Sequence, residues 1–184
     1  MAGQMTREQG FNHWRIAGWG LALALLLAPL VAMQFTAEVD WAAPDFAVAA
    51  LLIGGVGLGL ELAVRKTRSA PFRAATMLAV LTALLLIWVN LAVGFIGDED
   101  NPANLMFAGV LLIAMAGALL GRFRPRGMAI ASAAAGGAQL LVAVIVFVAD
   151  LGSPPELLLT IAFAAPWAFA AALYRRAAAA EERA

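Results

Sequence analysis

The sequence predicts an all-α integral membrane protein: a compact bundle of six transmembrane helices built from antiparallel hairpins, with the N and C termini cytoplasmic. Three observations carry that prediction. Of the 184 residues, 64% are hydrophobic and only 13% are charged, which is more apolar surface than a water-soluble domain of this length can bury. The apolar residues fall into six stretches, and a hydrocarbon core of about 30 Å takes roughly 20 helical residues to cross. Finally, all 12 Lys and Arg residues lie in alternate gaps between those stretches. Because cytoplasmic loops retain Lys and Arg, this asymmetry sets an orientation.

The spans are read at 16–35, 46–64, 74–96, 105–120, 128–149 and 157–174. They leave a cytoplasmic N-terminal segment at 1–15 and a cytoplasmic tail at 175–184. Arg7 and Arg15 precede the first span, and Arg65, Lys66, Arg68 and Arg73 follow the second. Arg122, Arg124 and Arg126 follow the fourth, and Arg175, Arg176 and Arg183 follow the sixth. The other gaps carry acids instead: Glu38, Asp40 and Asp45, then Asp98, Glu99 and Asp100, then Asp150 and Glu156. Basic residues ahead of the first span give it the look of a signal peptide. Its apolar run is long, however, and Ala28-Pro29-Leu30-Val31-Ala32-Met33 lacks an Ala-x-Ala cleavage pattern, so the span is expected to be retained.

Short connections favour antiparallel neighbours. Each acidic loop runs into a helix start: Pro44-Asp45-Phe46, Asn101-Pro102-Ala103-Asn104 and Ser153-Pro154-Pro155-Glu156. Proline in a first turn loses no intrahelical bond, and Ser153 with either Asn101 or Asn104 is placed to cap free N–H groups. The rhythm of prolines and basic loops is compatible with a threefold hairpin repeat, although the helices share no alignable residue pattern. Pro29 and Pro166 are expected to bend the first and last spans.

Glu61 is the ionisable residue set well inside a span, where a charge is expensive and a functional role is the default hypothesis. It lies four residues before Arg65, a spacing at which helical side chains meet. A pair with Arg65 near the cytoplasmic boundary therefore competes with a role as proton or cation ligand. On the same helix Ala47, Leu51, Gly55, Gly59 and Ala63 form a stripe of mostly small residues that permits close backbone approach, marking this helix as central. Ser132, Gly136 and Ala143 make a second small face in the fifth span, and Gly117 with Gly121 a small pair in the fourth.

Two amides complete the polar inventory of the spans. Asn90 shares a face with Gly94 and Gly97, and Gln139 lies among Ser132, Ala135, Gly136 and Ala143. Both are expected to face protein. Gln139 falls near its helix centre, Asn90 roughly 7 Å outward of its own centre and Glu61 roughly 9 Å inward, at about 1.5 Å per residue. Such levels fit either a pathway or ties between different helix pairs. The outer loop Asp98, Glu99, Asp100, Asn101 is the densest set of oxygen ligands, a weak cation candidate whose spacing is not that of an EF-hand. Trp14, Trp41 and Tyr174 are read as interface anchors, with Trp88 and Trp167 deeper.

Function is bounded mainly by what is missing. The chain has no cysteine and one histidine, His13, so thiol chemistry and clustered His ligands are out of reach. No Ser/His/Asp arrangement, phosphate loop or soluble catalytic module is present, and neither a cofactor nor a nucleic acid partner is suggested. The expectation is a small multi-pass protein of a bacterial inner membrane, of accessory, assembly or lipid- and protein-interacting type. Its expected partners are the bilayer and either another membrane protein or further copies of itself. The alternative is a small transporter or channel with a pathway through Glu61, Asn90 and Gln139.

Overall fold

A computed structural model describes residues 2–35, 41–66, 69–98 and 100–183, with the backbone alone at 2–15, 17, 60, 62–66 and 92. Among the described residues the regular structure is helical and no strand occurs. The helices are α1 (Ala2–Ala32), α2 (Ala43–Lys66), α3 (Ala70–Ala92), α4 (Leu105–Leu120), α5 (Pro125–Val148), α6 (Pro154–Ala162) and α7 (Ala164–Glu181). A 3₁₀ turn, Pro102–Asn104, leads into α4. Four segments are long and apolar enough to cross a bilayer: Ala70–Leu91, Pro102–Leu120, Pro125–Val148 and Pro154–Glu181. Shorter apolar helices lie at Gly18–Ala32 and Ala43–Gly59.

Local chemistry explains most of these limits. Ser69 caps α3 by accepting from the Phe72 N–H at 3.5 Å, with Pro71 in the first turn. The helix therefore starts earlier than the expected 74. It also stops earlier, at Ala92 rather than 96, because Gly94 takes a positive φ of 72°. That left-handed residue turns Phe95 and Ile96 back into the protein, where both are buried. The Asp45 carboxylate accepts from the Ala42 N–H at 2.8 Å at the head of α2. At α6 the Glu156 carboxylate accepts from the Ser153 N–H at 2.8 Å, closing the first turn on itself. Pro29 lies within α1, which continues through it to Ala32.

The last of the four long apolar segments, Pro154–Glu181, is two helices meeting at Phe163. Pro166 has no N–H and its ring crowds the carbonyl four residues back, Ala162, which is the last residue of α6. The break falls at that point.

The chain divides into two units, Met1–Glu61 and Leu62–Ala184. In the first, the Trp19 ring of α1 sits over Gly57 of α2, where an added Cβ would come within 3.0 Å of the indole. The stripe at Ala47, Leu51, Gly55, Gly59 and Ala63 is not the face used for this contact. Leu51 is 76% exposed and a Cβ at Gly55 would meet nothing within 4 Å; the Ala63 side chain lies outside the described residues. Spacing alone identified a small stripe, but a tryptophan needs a flat seat and selected the neighbouring glycine.

The centre of the second unit is α5 and α7. These two pack along each other, α4 lies against α5, α3 lies against α7, and α3 and α4 also touch. Small residues bring the backbones together: a Cβ at Gly117 would come within 2.7 Å of Ala131 on α5. Between these helices, Gly121-Arg122-Phe123-Arg124 makes a turn closed by the Arg124 N–H on the Gly121 carbonyl at 3.0 Å, with positive φ at Arg122 and Phe123. Gly121 and Gly127 meet across this turn so closely that neither has room for a side chain. Aromatic rings close the two ends of the unit. Phe95 contacts Phe107 at 4.5 Å and Phe163 at 5.0 Å between ring centroids, while Phe72 meets Tyr174 at 5.2 Å. Leu112, Leu120, Leu141, Phe147 and Phe169 remain exposed on the outside.

Candidate functional site

The seam between α5 and the α6–α7 junction concentrates the buried polarity. Along α5, Ser132, Ala135, Gly136, Gln139 and Ala143 are all buried, because small residues on this face let α7 approach. A Cβ on Gly136 would stand 3.3 Å from the Trp167 Cβ and 3.7 Å from the Ala164 carbonyl oxygen. One turn further along α5, the fully buried Gln139 donates through Nε2 to the Thr160 carbonyl at 3.1 Å. Thr160 is in the last turn of α6, where carbonyls lack intrahelical donors. Gln139 therefore satisfies backbone that the break has opened. The Thr160 hydroxyl donates back to the Glu156 carbonyl at 2.8 Å. Two atoms stay without a hydrogen-bond partner here, Gln139 Oε1 and Trp167 Nε1.

Asn90 is tied elsewhere. Its Nδ2 donates to the Asn104 carbonyl at 3.1 Å, joining the end of α3 to the loop before α4, and its Oδ1 is buried without a partner. The Asn104 side chain organises that loop: Oδ1 accepts from the Phe95 and Ile96 N–H groups at 3.1 and 3.0 Å. Its Nδ2 donates to the Ile96 and Asp98 carbonyls at 3.3 and 2.7 Å. Of the two asparagines considered as caps, Asn101 takes that role, accepting from the Ala103 N–H at 3.0 Å. Asn90 and Gln139 thus bind different carbonyls on different elements, and the structure does not bring them into one constellation.

The acidic loop residues considered for cation binding are placed by this asparagine scaffold. Asp98 and Asp100 are exposed, the Asn101 oxygen is engaged by backbone, and Glu99 lies outside the described residues. Among the described residues no group of three or more His, Cys, Asp or Glu side chains gathers to hold a metal ion.

Glu61 belongs to the first unit, where its Oε2 accepts from the Trp19 indole N–H at 3.2 Å. The expected Arg65 contact falls on a side chain outside the described residues. Trp19 had no local signal as its partner, since the two are 42 residues apart. Tyr174 corrects another expectation. Read as an interface anchor, it is fully buried instead, and its hydroxyl donates to Thr76 Oγ1 at 2.9 Å, while Thr76 donates to the Phe72 carbonyl at 3.0 Å. A lone tyrosine near a span end fits either an anchor or a helix tie, and only the partner 98 residues away decides. Trp88 faces outward at 53% exposure, whereas Trp167 is buried. Trp14 lies outside the described side chains.

Compared with protein families, with curated proteins and with solved structures, the chain matches none.

Proposed function

We propose that the chain is a six-span protein of a bacterial-type cytoplasmic membrane, with both termini on the basic cytoplasmic side, acting by association with another membrane protein, lipid or further copies of itself. The observation that carries this reading is where its buried polar groups are spent. Gln139 serves the Thr160 carbonyl, Asn90 the Asn104 carbonyl, Asn104 its own loop, and Tyr174 the Thr76 hydroxyl. These contacts hold helices together, and large apolar side chains cover the outside. Such a molecule presents surface for association rather than groups for chemistry. The charge asymmetry of the loops supports the orientation.

Native mass spectrometry after mild extraction tests the proposal. A stoichiometric protein partner, a defined oligomer or retained lipid is expected. A purified monomer that transports a solute in sealed vesicles, with flux altered by Glu61→Gln, overturns it in favour of a transporter or channel using Glu61, Asn90 and Gln139. That second reading draws its support from the broken sixth span, since transport sites are commonly built at discontinuous helices.

A further inference from the structure

The seam between α5 and α7 contains a hydrogen-bond donor and an acceptor that complement each other without meeting. Gln139 is fully buried and Trp167 is 2% exposed, yet Gln139 Oε1 and Trp167 Nε1 have no partner. The orientation of the amide follows from its neighbour. The Thr160 carbonyl can only accept, so Nε2 faces it at 3.1 Å and the oxygen is left over. The indole nitrogen can only donate.

Both groups belong to one seam at the level of the break in the sixth span. Trp167 leaves α7 opposite Gly136, and Gln139 stands one turn along the same buried face of α5. Side chains on a helix lean toward its N-terminus, which for Trp167 is the direction of the α6–α7 junction and of Thr160. The hydroxyl of Thr160, the residue whose carbonyl Gln139 engages, is buried and, having donated to the Glu156 carbonyl, retains capacity to accept. Buried polar groups in folded proteins find partners, and lipid chains offer none.

We infer that this seam binds a small neutral molecule with a hydroxyl-type donor and acceptor, which donates to Gln139 Oε1 and accepts from Trp167 Nε1. One water molecule is the smallest such ligand, and the hydroxyl of a small membrane-soluble alcohol has the same chemistry. A charged ligand does not fit, because Gln139, Thr160 and Trp167 are all neutral and an ion there would lack a counter-charge. The bound molecule ties α5 to α7 where the sixth span is broken, completing the hydrogen bonding that Gln139 begins at Thr160.

The full-length protein, reconstituted in lipid nanodiscs with 15N-labelled tryptophan, supplies the test by nuclear magnetic resonance. The Trp167 indole signal is assigned by its loss in Trp167→Phe. Its proton should show a through-space cross-peak to water, and that cross-peak should vanish in Gln139→Met. A cross-peak instead to a co-purified hydroxyl compound, identified by native mass spectrometry, supports the site with the larger occupant. Cross-peaks to protein and lipid-chain protons alone overturn the inference, as does a water cross-peak that persists undiminished in Gln139→Met. Should Gln139→Met lose its helical circular dichroism, Gln139→Asn, which withdraws the carbonyl by one methylene, is expected to abolish the same cross-peak, and its persistence there also overturns the inference.

Discussion

The carboxamide of Asn104 uses both lone pairs and both hydrogens on backbone groups of one loop, from Phe95 to Asp98. Asn104→Ala would leave the Phe95 and Ile96 N–H groups buried without acceptors, a loss of about 3 kcal/mol at typical penalties for unmade bonds. Asn104→Asp should not rescue it, because a carboxylate turns an oxygen toward the Ile96 and Asp98 carbonyls. Thermal unfolding of the detergent-solubilised protein followed by circular dichroism checks both, and an unchanged melting temperature would refute the assignment. Tyr174→Phe tests a smaller effect. It removes the bond to Thr76 but keeps the ring against Phe72, so the expected loss is about 0.6 kcal/mol, the average for hydrogen bonds between membrane helices. The presence of polar residues in apolar spans was legible from the sequence; their partners, 14 to 98 residues away, were not.

Among the elements, the hairpin of α1 and α2 offers a contrast between two glycines on one helix. Gly57→Leu collides with the Trp19 ring, whereas Gly55→Leu meets open space within 4 Å. The first should destabilise by about 1–3 kcal/mol, the usual range for overpacking, and the second should be nearly neutral. Comparing the two variants in one denaturation series reads the difference, and equal losses would reject Trp19 as the packing element. At the α4–α5 turn, Gly127→Ala forces apart backbones already in contact at Gly121. A similar loss is expected there, measured in the same series. Helix starts at Asn101 and Ser153 were readable because asparagine, serine and proline act locally, whereas the start of α3 at Ser69 was set too late, at 74. The end of α3 was misplaced because Phe95 and Ile96 are apolar enough for a span, and only the positive φ of Gly94 diverts them into a loop.

For the molecule as a whole, the absence of cysteine makes topology directly measurable by introducing one at a time. If the acidic loops face outward, a membrane-impermeant maleimide should label Asp100→Cys in intact cells and Arg124→Cys only after the membrane is opened. The opposite pattern would reverse the proposed orientation. Both sites are exposed, so failure to react would report the membrane rather than burial. The exposed pair of Arg126 and Glu182, 3.2 Å apart, joins the start of α5 to the end of α7 at the basic side. Exposed pairs contribute little to stability, and replacing either is not expected to change the melting temperature noticeably.

Composition and charge order by themselves determined that this chain is helical and apolar enough for a membrane, since those properties sum over many residues and need no knowledge of contacts. They also drew attention to Glu61, Asn90 and Gln139, because polarity inside an apolar run stands out locally. What each of those residues touches was decided only by tertiary structure. Gln139 meets Thr160 because Pro166 breaks the last span, Glu61 meets Trp19 because a glycine seats the ring, and Asn90 meets Asn104 because Gly94 turns the chain. A hydrogen bond is short and directional, so its partner depends on helix packing and on where a backbone bends, and neither is carried by the period or the composition of a single span.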